Sequence, residues 1–205
     1  MTTARDPAQT AGRGRPPITT RDQVSAVALE LFARHGFEQT TMDDIADALG
    51  VGRRTLFRYF PSKNDIVWGD FDWVLDRLRA LLRETDPRAS TMEALGRAVV
   101  ASNSYGPAEV PELRIRMTLI TSVPALQAHS MLRYSAWRRV VAEFVAERRG
   151  EPPDGLVPQV IAHAALSTAM AAFVCWVEGR EPDHVAAIER GFHALATGFP
   201  DPPQG

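Results

Sequence analysis

From Thr20 onward the apolar residues recur at three- and four-residue steps, and the runs are cut by proline and glycine. That period suits one face of a helix; the alternation that marks half-buried strands is absent, so the chain reads as all-α. Val24, Val27, Ala28, Leu31 and Phe32 predict a first amphipathic helix, stopped at Gly36. Thr41, answered by Asp44 three positions later, is a cap for a second helix that buries Met42, Ile45, Ala46 and Leu49 and ends at Gly50. A third, short helix turns Leu56, Phe57 and Phe60 inward and stops before Pro61, because proline disfavours helical geometry in the residue preceding it. Further helices are expected over roughly 64–84, 91–104, 111–122, 124–149, 156–178 and 183–197, between breaks such as Asp86-Pro87, Gly106-Pro107 and Gly150 to Gly155.

Residues 1–19 are rich in Thr, Ala, Gly, Pro and Arg without apolar periodicity and read as a flexible basic arm; residues 199–205 read as a frayed tail. The remaining organisation expected is a three-helix unit over 20–66 and a larger helical unit over 67–198. A net charge of −2 and a pI near 6.2 exclude a generally basic nucleic-acid coat, so any such contact must be local. The single cysteine, Cys175, closes no intrachain disulfide, no Cys/His cluster has zinc spacing, and the N-terminus lacks the apolar stretch of a secretory signal. These features suit a cytoplasmic protein with no metal and no cofactor. The 156–177 stretch is apolar nearly all round, but Gln159, His163, Ser167 and Thr168 interrupt it, which favours a core and interface helix over a membrane span.

The densest chemistry lies between Val51 and Lys63, where Arg53, Arg54, Arg58 and Lys63 stand without one Asp or Glu. With Leu56 and Phe60 buried, Arg53, Arg54, Thr55, Arg58 and Tyr59 occupy exposed or partly exposed helix positions. Arginine can grip guanine O6 and N7, while hydroxyls hold phosphates. A basic helix on its own is most often a solvated face. Here it follows a capped helix and a glycine turn, the order of a helix-turn-helix.

The runs Ala28-Leu-Glu-Leu-Phe-Ala-Arg-His-Gly-Phe37, Thr40-Thr-Met-Asp-Asp-Ile-Ala46 and Gly50-Val-Gly-Arg-Arg-Thr-Leu-Phe-Arg-Tyr-Phe-Pro-Ser-Lys63 resemble the DNA-binding domain of TetR-type transcriptional regulators. The resemblance implies an all-helical homodimer that represses transcription and leaves DNA when a small molecule binds its larger domain. It implies phosphate contacts for Thr41, Thr55, Tyr59 and Lys63, and places Arg53, Arg54 and Phe57 nearest the bases. Phe57 stands where the family often has tyrosine, and Arg58 adds charge beside it. Further likeness, in Phe60-Pro-Ser-Lys-Asn-Asp65, Val67-Trp-Gly-Asp-Phe-Asp72 and Val123-Pro-Ala-Leu-Gln-Ala-His-Ser130, is to the subgroup associated with mycofactocin biosynthesis. That likeness implies control of mycofactocin genes and an effector of the long-chain acyl-coenzyme A class.

An acyl chain needs an apolar tunnel, for which Trp68, Phe71, Met117, Ile120, Tyr134, Trp137 and Ala164 are candidates, with His129 and Arg133 beside them. Arg114, Arg116, Arg133, Arg138 and Arg139 are available for phosphates, and each is equally an ordinary surface charge. Val160, Ala164, Phe173 and Trp176, with Val185, Ile188, Phe192 and Leu195, make a candidate dimer interface on the last two helices, or else intramolecular core. The 64–84 helix, starting at Lys63 and ending in the sensing core, is the natural lever between the two functions. Two other classes compete: a DNA-binding scaffold without an effector, and an all-helical enzyme, which lacks a visible zinc helix, phosphate loop or nucleophile elbow. In the arm, Arg13 and Arg15 flank Gly14 ahead of Pro16, a pattern suited to a narrow minor groove. Deleting residues 1–16 is expected to weaken operator binding several-fold, and unchanged affinity in a titration would remove that role.

Overall fold

The computed structural model describes residues 19–199, which form ten helices and no strand. Arg13 and Arg15, like residues 200–205, lie outside the described residues. The first three helices are α1 (Arg21–His35), α2 (Met42–Leu49) and α3 (Arg53–Tyr59). Thr20 and Gln23 form a capping box on α1. Thr41 and Asp44 do the same on α2: the Asp44 amide donates to the Thr41 hydroxyl at 3.1 Å, and its carboxylate accepts from the Thr41 amide at 2.8 Å. Gly50 closes α2 in the left-handed region, and α3 ends at an extended Phe60 ahead of Pro61, both as expected. Val24, Leu29, Phe32, Ile45, Leu56 and Phe60 make the core of this unit. Phe57 departs from the inward position expected of it: it is 38% exposed, because Leu56 and Phe60 already fill the buried face.

The expected 64–84 helix is two helices, α4 (Lys63–Trp68) and α5 (Phe71–Arg83). Gly69 at φ +61° stops the first, and the Asp70 side chain accepts from the Trp73 amide at 3.2 Å to cap the second. The stretch expected to act as a lever is therefore broken after its first short helix, and α4 runs across the boundary placed at 66/67. Then follow α6 (Thr91–Ser102), α7 (Val110–Ser122), α8 (Pro124–Arg149), α9 (Leu156–Val177) and α10 (His184–Thr197).

The α9 helix packs against α7, α8 and α10, and α10 lies between α9 and α6. Phe173, Trp176, Ile188 and Phe192, expected at a dimer interface, are buried within their own chain. Trp176 packs against the Arg114 guanidinium, 4.1 Å from its ring, and the His184 ring at 4.7 Å. Val160 is the exposed member of the set at 55%, while Ala164, Val185 and Leu195 are half-buried. By length and hydropathy α9 could cross a membrane, but one third of its apolar window is already buried against other helices.

Close packing of α9 on α10 depends on Gly191, where an added Cβ would sit 2.8 Å from Thr168 Cγ2. Gly191→Ala is thus expected to destabilise the fold by about 1–3 kcal/mol through overpacking. Thr168→Ser, which removes the opposing methyl, should recover most of that loss in a urea melt; a purely additive double mutant would mean that another contact limits the approach.

Candidate nucleic-acid interface and effector cavity

The exposed face of α3 carries Arg53, Arg54, Phe57 and Arg58, with Thr55 and Tyr59 half-buried at its flanks. Arg53 Nη1 reaches Asp43 Oδ2 at 2.9 Å, tying the start of α3 to α2, and its guanidinium lies 5.4 Å from the Phe57 ring. Arg58 rests over Tyr59 at 5.5 Å. Arg54 is exposed and, among the described residues, makes no ion pair or side-chain hydrogen bond, so its donors are available to a base edge.

The expected phosphate ligands are more occupied. The Tyr59 hydroxyl donates to the Thr19 carbonyl, and Arg21 donates to the Tyr59 carbonyl at 2.9 Å, so Tyr59 anchors the start of α1. Lys63, 25% exposed in its side chain, donates to the Phe37 carbonyl at 2.8 Å and to those of Glu38 and Thr40 at 3.4 Å, over the Phe37 ring. It clamps the loop between α1 and α2. The Thr41 hydroxyl donates to Asp44 at 2.7 Å while capping α2. To hold phosphates, these three groups must share or leave partners they already have.

Behind α4 lies a cavity of about 120 Å³ bounded by α4, α5, α7, α8 and α9. It brings together six of the expected lining residues: Trp68, Phe71, Met117, Ile120, Tyr134 and Trp137. Ala164 is half-buried away from it. Phe173, assigned by pattern to the interface, lines the cavity instead, with Tyr105, Leu113 and Arg116. Leu113, Arg116, Met117 and Ile120 share one helical face, so periodicity offered a signal for Arg116; Tyr105 sits in the break before Gly106-Pro107 and offered none.

His129 and Arg133 face Asp65, on α4, rather than the cavity. Asp65 Oδ1 lies 3.1 Å from Arg133 Nη2 and 3.2 Å from His129 Nε2, the latter without hydrogen-bond alignment, and Asp65 Oδ2 accepts from the Ser62 hydroxyl at 2.7 Å. Burial pushes the Asp65 carboxyl upward, but the Ser62 hydrogen bond and the charges of His129 and Arg133 outweigh it and hold the group below its ordinary value of 3.8. The last carbonyls of α4 are also taken from outside: Ser25 of α1 donates to Ile66 at 3.0 Å, and Arg116 of α7 donates to Val67. The five arginines considered for phosphates do not converge. Arg114 is tied to Trp176, Arg116 to Val67 and Arg133 to Asp65, while Arg138 and Arg139 share a separate cleft with His163.

Residues 25–67 match the family model described as bacterial regulatory proteins, tetR family, and residues 89–200 match that of the MftR C-terminal domain. The chain belongs to the TetR family. It is 42% identical over 186 residues to a protein of Mycobacterium tuberculosis described as the mycofactocin biosynthesis transcriptional regulator MftR, covering 91% of this chain and 94% of that one. The regulator TcmR of Streptomyces glaucescens is 30% identical over 69% of this chain and 66% of its own. Thermus thermophilus FadR, solved in complex with lauroyl-CoA, superposes with a TM-score of 0.57 at 20% identity over 91% of this chain and 99% of that one. FadR of Bacillus halodurans superposes with a TM-score of 0.64 at 20% identity over 87% of this chain and 95% of that one. This TetR-family chain is thus a transcriptional regulator with an MftR-type C-terminal domain.

In this TetR regulator the Asp65 carboxylate joins α4, directly after the helix-turn-helix, to α8. Asp65→Asn is expected to cost about 1.5–3 kcal/mol, the range for hydrogen bonds to charged groups. Because the folded-state pKa is depressed, the advantage of the native residue is complete above about pH 5 and disappears as pH falls through and below the ordinary carboxyl range. Melting both proteins from pH 3 to 7 checks this; a constant difference across that range would exclude the ionised carboxylate as the cause.

Proposed function

We propose that this chain is a ligand-responsive repressor that binds an inverted-repeat operator as a homodimer, through residues 20–66, and leaves it when a small apolar effector enters the cavity behind α4. The observation that carries this reading is the position of α4: it follows the recognition helix directly, lines the cavity with Trp68, and is bonded to both units through Ser25, Asp65 and the Val67 carbonyl. A ligand that fits one placement of α4 better than another shifts the spacing of two recognition helices by its differential affinity. Those helices would meet successive major grooves about 34–36 Å apart.

The identity to MftR supports mycofactocin genes as the target. For dimerisation the support is the outer face of α9 and α10: Leu156, 79% exposed, Val157 and Val160, continued by Ala164, Val185 and Leu195. We take a long-chain acyl-coenzyme A as the effector class, on the apolar lining and the subgroup likeness. Ligand pockets usually enclose roughly 300 Å³ or more, so an acyl chain must open this one. The adjoining cleft of about 580 Å³ between α1, α5 and α7 shares Trp68, Val74, Tyr105, Leu113 and Arg116 with the cavity and provides the direction.

Fluorescence anisotropy on DNA from the chain's own upstream region, with and without lauroyl-CoA, tests the reading. Tight binding released by the thioester supports it, and binding indifferent to the thioester removes this effector. Within the DNA contact, Arg54→Ala is expected to lose about 1–3 kcal/mol of base discrimination. If specific and random sequences lose affinity equally, Arg54 touches phosphate, and the slope of log affinity against log salt should then flatten by about one unit.

A further inference from the structure

We infer that Trp68, Tyr105 and Arg116 form a head-group site for a hydrogen-bond acceptor, a carbonyl or carboxylate oxygen, at the end of an apolar effector, and that filling it draws Arg116 off the Val67 carbonyl. The inference rests on the reading that the cavity behind α4 takes the effector, and it specifies which end of the molecule is recognised and how.

Two polar groups of the cavity wall, Trp68 and Arg116, are donors only. The Trp68 indole can only donate, and its Nε1 is buried without an acceptor among the described residues. A buried donor left unpaired is costly, so an incoming oxygen gains what the empty site forgoes. The Arg116 guanidinium can only donate, and its hydrogen bonds to Val67 and Glu112, the latter at 2.6 Å, leave further N–H groups. The Tyr105 phenol, on the same wall, can supply its O–H as a third donor. Phe71, Met117 and Ile120 supply the apolar wall for the body of the ligand. An amine head would leave the Trp68 and Arg116 donors unmatched and set a cation beside Arg116.

The geometry also couples this head site to the lever. Val67 is the penultimate residue of α4, where carbonyls lack helical partners, and Arg116 supplies one from α7. Glycine at residue 69 leaves room for this approach: a Cβ there would lie 3.0 Å from Arg116 Nη1. An acceptor on the ligand competes with the Val67 carbonyl for the same guanidinium, so occupancy loosens the C-terminal end of α4 from α7. A free acid and a thioester both carry the required oxygen.

Isothermal titration of the full chain with laurate, lauroyl-CoA and dodecylamine tests the site. At least one acyl probe should bind, and whichever does identifies the source of the oxygen. Dodecylamine should bind at least about tenfold more weakly, and both Trp68→Phe, which keeps an aromatic ring without the N–H, and Arg116→Gln should weaken the acyl probe by about tenfold, on the scale of one lost hydrogen bond to a buried or charged group. Dodecylamine binding as tightly as the acyl probes, or Trp68→Phe with unchanged affinity, overturns the site even where Arg116→Gln fails to fold. Binding of the native chain to its upstream DNA is measured alongside. If neither acyl probe binds while DNA binding persists, the head site falls and the upstream operator stands; if an acyl probe binds with the expected variant effects and DNA does not, the upstream operator falls and the site stands.

Discussion

A six-residue helix cannot satisfy its own ends, because the first four amides and last four carbonyls of any helix lack internal partners. The α4 helix meets that constraint with groups drawn from both sides of the molecule: Ser62 at its start, Ser25 and Arg116 at its last carbonyls, and Arg133 on the carboxylate of Asp65. The helix-turn-helix unit and the larger helical unit are joined by what α4 lacks.

The helix-turn-helix was legible because its signals are local. Thr41 with Asp44, Gly50, and Phe60 ahead of Pro61 act within a few residues of themselves, and each terminates or starts a helix where expected. The stop at Gly69 and start at Asp70 are equally local, but the apolar period runs across them from Ile66 and Val67 to Leu75 and Leu78, and following the period alone merged two helices into one. The side-chain partners of Tyr59 and Lys63 were not legible. They are backbone carbonyls, which every residue carries, so nothing in composition marks Thr19 or Phe37 as the acceptor.

The cavity and the interface show the limit of periodicity in another way. An apolar position on a helix announces burial without naming the partner surface. Most of the expected cavity wall came together because Trp68, Phe71, Met117, Ile120 and Trp137 lie on helices that converge there. Phe173, Trp176, Ile188 and Phe192 were burial signals of the same kind, yet their partners are in the same chain. What separates the two cases is the exposure of Leu156 and Val160, which depends on how α9 is seated among its neighbours.

The way Lys63 and Arg148 are used has a bearing on ionic strength. Lys63 gathers the carbonyls of the α1–α2 loop, and Arg148 gathers those of Asp86, Pro87 and Ala89 in the α5–α6 loop. These are largely contacts between a cation and neutral dipoles at short range, against which mobile ions screen poorly, whereas an exposed arginine near a phosphate is open to the whole ionic atmosphere. Added salt therefore acts on the bond between protein and DNA long before it acts on the loops that hold the recognition helix in position, and a protein stripped from its site in concentrated salt keeps the shape with which to return.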